Sequence, residues 1–336
     1  MAQSANMDAS ELARDIAAGL ASATTATERA ALVPAELVEA IQQLKTQRDA
    51  VILAHYYVAP EVQAVADYVG DSFYLAKLAK SLPQQTIVLC GVEFMGESAK
   101  LLNPTKTVLL PEPGADCPMA HMVKRETVDA ARAEYGDDLA VVCYVNSTVE
   151  IKSWSDVCVT SSNAVKIVSE LPQQHILFIP DHMKNNSPQK HVILNNGYCP
   201  RHHIITVEQI VDATEAHPDA LVLAHPECKA DVLAEADYIG STAGIIKYAE
   251  ESDASEFIIV TVRGVLYELE RRCQGTGKKF YFPAVQPACV NMDLITLEKL
   301  VHCLETGEGE VQIGVSDEAA DQAKLTLDRM LEYAAR

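Results

Sequence analysis

The sequence is short of positive charge. Its 336 residues carry 27 Lys and Arg against 47 Asp and Glu, a formal net charge of −20. Binding to nucleic acid or to an anionic membrane needs clustered positive charge, so neither is an expected partner. Long apolar runs are also lacking, since none approaches the ~18–20 residues of a membrane span. Met1 to Thr27 shows no basic start, apolar core or cleavage site, so a secretory signal is not expected there; it reads as a helical or frayed leader. The nine cysteines are odd in number, so a disulfide framework is not expected and a reducing cytoplasm is. What is present suits a packed globular protein. Hydrophobic residues make up 49%, and the length fits two or three units better than one core.

Three segments align without gaps: VILAHYY (51–57), AVVCYVN (140–146) and LVLAHPE (221–227). Each is an apolar strand ending in polar groups, at His55 and Tyr57, Tyr144 and Asn146, and His225 and Glu227. A second landmark follows each: DYVGDS (67–72), DVCVTS (156–161) and DYIGST (237–242). Ser72 stands seventeen residues after His55, Ser161 seventeen after Tyr144, and Thr242 seventeen after His225. Each hydroxyl residue opens a helical pattern, and Ser and Thr are preferred N-caps, so these three are predicted to cap their helices.

The second half of each repeat continues the alternation of strand and helix and ends in one cysteine: Cys117 in GADCPMA, Cys199 in NGYCPRH and Cys289 in PACVNM. Beyond each cysteine a helix start is predicted at Thr127, Thr206 and Thr296. Strands alternating with helices predict an α/β protein of three homologous αβα three-layer domains with parallel sheets. A repeat of ~80–90 residues is long for a solenoid, so a pseudo-threefold arrangement around a central site is expected. The predicted boundaries are a leader over 1–46, repeats over 47–138, 139–219 and 220–300, and a C-terminal helical segment over 301–336.

In parallel α/β units ligands gather at strand carboxyl ends and helix N-termini. The repeated polar residues, hydroxyls and cysteines all fall there, and threefold symmetry brings them to one axis. Three thiolates at one point leave a zinc site one ligand short. A cubane iron–sulfur cluster usually takes four cysteines; held by three, it keeps one iron open as a Lewis acid, suited to elimination of water. The other cysteines read as small buried hydrophobes. Glu227 is the one carboxylate among the six strand-end positions and a candidate general base. Tyr57 and Tyr144 are candidate proton donors or oxyanion ligands. His55 and His225 line the site by their equivalent positions, and His202 stands near Cys199. Arg271 and Arg272 read as a solvated helix face.

These residues resemble the quinolinate synthase family of NAD biosynthesis. The resemblance runs from about residue 45 to the C-terminus and is carried by ILAHYY, DYVGDS, GVEFMGESAK, DCPMA, YVNST, TSSNAV, NGYCP, AHPEC, GST and CVNM. It implies a transferase that condenses iminoaspartate with dihydroxyacetone phosphate, with loss of phosphate and two waters, to form quinolinate. It implies a [4Fe–4S] cluster on Cys117, Cys199 and Cys289. Substrate-binding positions carry over to His55, Ser72, Tyr144, Asn146, Ser161, His202, His225, Glu227 and Thr242, and catalytic ones to Tyr57, His225 and Glu227. The implied upstream partner is an aspartate oxidase or dehydrogenase that supplies iminoaspartate. Three helix N-termini would hold the anionic substrates without Lys or Arg. Two alternatives stand beside this reading: another iron–sulfur hydro-lyase of aconitase type, and a non-catalytic iron or redox sensor.

Overall fold

Apolar runs of two to six residues, rich in Val, Ile and Leu, form twelve short strands among the described residues. The computed structural model describes residues 9–20, 25–182, 189–285 and 287–336. The first sheet contains β1 (Ala50–His55), β2 (Tyr68–Gly70), β3 (Thr86–Cys90) and β4 (Thr107–Leu109). The second contains β5 (Leu139–Tyr144), β6 (Val157–Val159), β7 (His175–Ile179) and β8 (His191–Leu194). The third contains β9 (Leu221–Ala224), β10 (Tyr238–Ile239), β11 (Glu256–Val260) and β12 (Lys279–Tyr281). All ladders are parallel, and each sheet places its strands in the sequence order 2-1-3-4. The α/β expectation of three homologous parallel-sheet domains therefore holds. Helices cover both faces, so the central strands are buried on both sides and read as continuous apolar runs.

The repeated aspartate of the second landmark is a clip. Asp67 Oδ2 accepts from the Ile52 N–H at 2.8 Å, Asp156 Oδ2 from Val141 at 2.7 Å and Asp237 Oδ2 from Val222 at 2.8 Å. Each aspartate N–H donates back to the carbonyl of the same residue, Ile52, Val141 or Val222. The clip sets the register of the short second strand on the first: Leu53 opposes Tyr68, Val142 opposes Val157 and Leu223 opposes Tyr238. That register delivers the following hydroxyl residue to the carboxyl end of the first strand.

Local details differ from expectation at helix starts. Helix Ser72–Ser81 is capped by Asp71, whose carboxylate accepts from the Tyr74 N–H, and helix Thr242–Glu251 by Ser241, which accepts from Gly244. Ser161 lies in a turn before helix Ala164–Glu170, where Asn163 Oδ1 accepts from the Thr160 N–H at 2.7 Å. The predicted hydroxyls are thus not the caps. A neighbouring polar residue satisfies the open backbone donors and leaves Ser72 and Thr242 free to face inward. Thr206 and Thr296 do cap their helices, whereas Thr127 lies inside helix Arg125–Tyr135.

The leader, for which the sequence offered no role, packs across the first and third repeats. Helix Ala9–Leu20 lies on helix Leu297–Thr306, with Ser10 donating to Glu305 at 2.7 Å and Arg14 paired to Glu298 at 2.9 Å. Helix Ala26–Ala31 sits between helices Pro60–Val65 and Leu266–Arg272. There Arg29 pairs with the buried Glu61 at 2.8 Å and Thr27 bonds to Glu270 at 2.5 Å. Arg271 and Arg272 are exposed on the helix, as expected of a solvated face, and both also bond to Glu268, whose side chain is 2% exposed, at 2.7 and 2.9 Å. No helix among the described residues is long and apolar enough to cross a membrane.

Candidate active site

The first strand of each repeat ends at one cavity of about 80 Å³. It is lined by His55, Tyr57 and Ser72 from the first repeat, Tyr144, Asn146 and Ser161 from the second, and His225, Glu227 and Thr242 from the third. Cys117, Cys199 and Cys289 line the same cavity. His202, which is fully buried, stands directly behind the wall. The structure therefore brings together every sequence-predicted site residue.

The three cysteines have one local design. Each starts a short turn, and each sulfur accepts backbone N–H groups from the second and third residues after it. The donors are Met119 and Ala120 for Cys117, Arg201 and His202 for Cys199, and Asn291 and Met292 for Cys289. Such donors favour a thiolate. Burial works the other way: it pushes Cys117 up to about 12, aided by the charges of Cys289 and Glu227, and raises Cys199 and Cys289 as well. A cationic centre between the thiols would supply the missing compensation.

The donor atoms of Cys199, His202 and Glu227 all fall within 4.8 Å of each other. Only Nε2 of His202 is hydrogen-bonded. Nε2 lies 2.9 Å from the Thr261 hydroxyl, and Nδ1 lies 2.8 Å from Glu227 Oε2, too oblique for a linear hydrogen bond. The donor atoms of this buried trio are thus close enough together to meet one metal ion.

His55 and His225 share one geometry. The Tyr57 N–H donates to His55 Nδ1 at 3.1 Å, and the Glu227 N–H to His225 Nδ1 at 3.3 Å. A backbone N–H can only donate, so each Nδ1 is an acceptor and the ring proton sits on Nε2. Burial lowers His55 to about 4 and His225 to about 3, partly opposed in both by Glu227. Both rings are thus neutral Nε2–H donors near neutral pH. Burial alone would raise Glu227, but His225, His202 and the Tyr144 hydroxyl hold it below the ordinary carboxylate range. The Tyr144 Oη donates to Glu227 Oε1 at 2.8 Å. Burial and Glu227 together raise Tyr57 and Tyr144 well above the ordinary phenol.

Tyr57 is held in place by contacts with the third repeat. Its hydroxyl lies 2.8 Å from Thr242 Oγ1 and 2.9 Å from Thr261 Oγ1, both in the third repeat. Gln63 Nε2 donates to the carbonyls of Tyr56 at 3.0 Å, Val58 at 2.8 Å and Gly264 at 2.9 Å, clamping the turn on both sides of Tyr57. Gly264 is required here, because a Cβ would meet the Tyr57 Cα and carbonyl oxygen at 2.7 Å. A larger cavity of about 630 Å³ lies on the leader side and shares Tyr57, Val262 and Cys289 with the site.

Two residues escaped sequence reasoning. Thr261 follows an apolar strand and looked like part of it. Arg201 also lines the cavity, which corrects the expectation of a site without Lys or Arg; it has no ion-pair partner among the described residues. Its signal was position, since it is one of the two residues whose backbone N–H caps Cys199.

A sequence model of the family described as quinolinate synthetase A protein matches residues 39–332. A quinolinate synthase of Fusobacterium nucleatum is 49% identical over 299 residues, covering 88% of this chain and 98% of that protein. One of Caldicellulosiruptor saccharolyticus is 45% identical, covering 88% and 97%. One of Methanosarcina barkeri is 44% identical over 308 residues, covering 90% and 99%.

Proposed function

The chain belongs to the quinolinate synthetase A family of enzymes, and on that footing we propose that it condenses iminoaspartate with dihydroxyacetone phosphate, releasing phosphate and two waters and forming quinolinate. The observation that carries the reading is the convergence of three thiols and nine polar side chains, drawn from three repeats, on one buried cavity.

Cys117, Cys199 and Cys289 fit a [4Fe–4S] cluster, being three in number, gathered on one cavity and capped by backbone N–H groups. Bound there, the cluster would offer an iron without a protein ligand as a Lewis acid for dehydration.

The remaining chemistry belongs to the side chains. The Nε2–H groups of His55 and His225 are neutral donors suited to the carboxylates of iminoaspartate. Ser72 and Thr242 add hydroxyls at the N-termini of two ten-residue helices, whose dipoles favour anions. Ser161 and Asn146 complete the polar wall from the second repeat. Arg201 supplies a guanidinium for the phosphate or a carboxylate, and so offsets Asp71, Asp116 and Glu227 in the same wall. Glu227, ionised and held by Tyr144, takes substrate protons. Tyr57 lines the same cavity and orients a substrate oxygen. An enzyme that makes unstable iminoaspartate, an oxidase or dehydrogenase acting on aspartate, is the upstream partner this chemistry asks for.

The test is anaerobic purification followed by quinolinate assay from the two substrates, with iron and visible absorbance measured on the same sample. Quinolinate with about four irons per chain supports the reading. A cluster without quinolinate overturns the substrate assignment, and failure of any anaerobic reconstitution overturns the cluster.

A further inference from the structure

Lys152, in helix Val149–Ser153, is a fully buried charge that the proposed chemistry leaves unused. Lys45, another buried lysine, pairs with Asp67 at 2.5 Å, whereas Lys152 has no ion-pair partner among the described residues. Glu97 senses its charge, but the Glu97 carboxylate accepts from the Val149 N–H at 3.2 Å instead. The Lys152 Nζ donates to the Ser147 carbonyl and lies 5.4 Å from the centre of the Phe94 ring. A buried charge is ordinarily paired, so a charge left this way asks for a reason.

The repeats supply a control. Eight residues after the strand-end positions His55, Tyr144 and His225 stand Gln63, Lys152 and Leu233, each in the short helix that follows its turn. Gln63 Nε2 donates to the Val58 carbonyl at 2.8 Å, and Lys152 Nζ to the Ser147 carbonyl. Val58 and Ser147 are themselves equivalent, three residues past the strand end. The position therefore clamps the turn in both repeats. A neutral amide does so in the first, and the third manages with a leucine, so the fold does not demand a charge here. Phe94 and Asn146, which separate Lys152 from the cavity, both line it. The same lining holds Asp71, Asp116 and Glu227 against the guanidinium of Arg201, an excess of negative charge that an anionic ligand must enter. We infer that Lys152 is a positioning residue with two roles: it clamps the turn carrying Tyr144 and Asn146, and its buried positive charge behind Phe94 and Asn146 attracts an anionic group of the substrate bound against that wall. Across a dry wall such an attraction is screened far less than in water. The inference rests on the proposed reaction, whose substrates are a dicarboxylate and a phosphate ester.

The experiment compares two probes on the anaerobically purified protein: quinolinate, a dianion, and pyridine-3-carboxylate, a monoanion with the same ring. Lys152→Met keeps the length and removes the charge, and Lys152→Gln installs the first repeat's own clamp. In either variant quinolinate affinity falls roughly tenfold and monoanion affinity about threefold, because the interaction scales with ligand charge. KM for iminoaspartate rises in parallel while kcat moves by less than about threefold, the pattern of binding lost equally from ground and transition states. An equal loss for both probes shows a displaced wall and overturns the role of the charge. Wild-type quinolinate affinity in Lys152→Gln overturns it as well. Should neither variant fold, the ¹⁵N spectrum of lysine-labelled wild type decides: a buried, exchange-protected ammonium that shifts when quinolinate binds is expected, and a neutral amine or an unmoved signal overturns the inference. A wild-type chain that binds quinolinate but does not make it defeats the proposed reaction and leaves the charge comparison standing; one that binds neither probe overturns the inference too.

Discussion

The first two repeats and the third build the same sheet on different cores. In the first two, one continuous apolar cluster runs through both sheets and takes in the leader helix Ala9–Leu20, helix Leu297–Thr306 and helix Asp317–Ala335. The third sheet keeps two small clusters of its own, one on each face. Leu223, Phe257 and Ile259 lie on one side, and Val222, Ala224, Ile258 and Val260 on the other. Tyr56, just after β1, is buried in the former cluster, and Tyr57 and Val69 of the first repeat pack against it. Across that seam most of the named contacts are polar: the Tyr57 hydroxyl on Thr242 and Thr261, Gln63 on Gly264, and the leader's bridge to Glu61 and Glu270. Identical topology thus does not imply identical attachment. A third repeat with its own core can carry Glu227, His225 and Thr242 as a unit, located against the other two by hydrogen bonds.

Predictions follow that contrast. The largest effect concerns what the repeats share despite their different cores. Cys117→Ala, Cys199→Ala and Cys289→Ala each abolish both the cluster absorbance and quinolinate formation. Substantial cluster in Cys289→Ala alone would show that the third repeat is dispensable for metal binding and break the symmetry of the site.

Glu227→Gln comes next. The third repeat's carboxylate loses its charge but keeps its volume, and turnover is expected to drop by roughly 10²–10⁴, with the cluster spectrum unchanged. An undiminished rate removes Glu227 from the proton transfers.

The core contrast itself is tested by a matched pair. Phe178→Ala in the shared core and Phe257→Ala in the third repeat, both fully buried, each cost about 3–5 kcal/mol. The second is expected to lower one unfolding transition, with amide exchange accelerating only in β9 to β12, whereas the first loosens β1 to β8 together. A uniform loss of protection in both variants would show that the three repeats unfold as one.

Acid titration probes the site face. Folded His55 titrates at about 4 and folded His225 at about 3, against 6.5 for the ordinary ring. The unfolded chain therefore binds protons that the folded chain refuses. Stability of the apo-protein is full above about pH 6.5 and falls as pH drops through that value toward 4. Denaturant midpoints measured across this window check the sign; a midpoint that rises on acidification contradicts neutral buried rings. His55→Gln, on the fused side of the seam, should flatten part of that slope.

The smallest effect is mechanical. Gly264→Ala pushes a methyl into the Tyr57 backbone and costs about 1–3 kcal/mol as overpacking, with a matching loss of turnover. Unchanged stability would mean that the seam opens freely.

Particular residues show how far reading the chain could go. The strand ends at His55, Tyr144 and His225, the seventeen-residue spacing and the three cysteines were legible, because each belongs to a local pattern repeated three times. The helix caps were misplaced by one residue at Ser72 and Thr242, since Asp71 and Ser241 are equally good caps by type and only backbone geometry separates them. Arg201 was passed over because its counterparts in the other repeats, Met119 and Asn291, are not basic. Thr261 was hidden in an apolar strand, and its partners come from the first and second repeats, Tyr57 and His202.

The sequence by itself therefore determined the elements, their threefold recurrence and the chemistry gathered at the strand ends. Periodicity, turn residues and clip aspartates act within one repeat, where neighbours in the chain are neighbours in space. Only the tertiary structure decided which hydroxyls face the cavity, how the Tyr57 turn is clamped, and that a single buried threonine joins two repeats at the site. Those outcomes depend on contacts between residues about 60 to 200 positions apart, and such contacts are selected by packing and by the need to pair every buried polar group, not by any local preference of the chain.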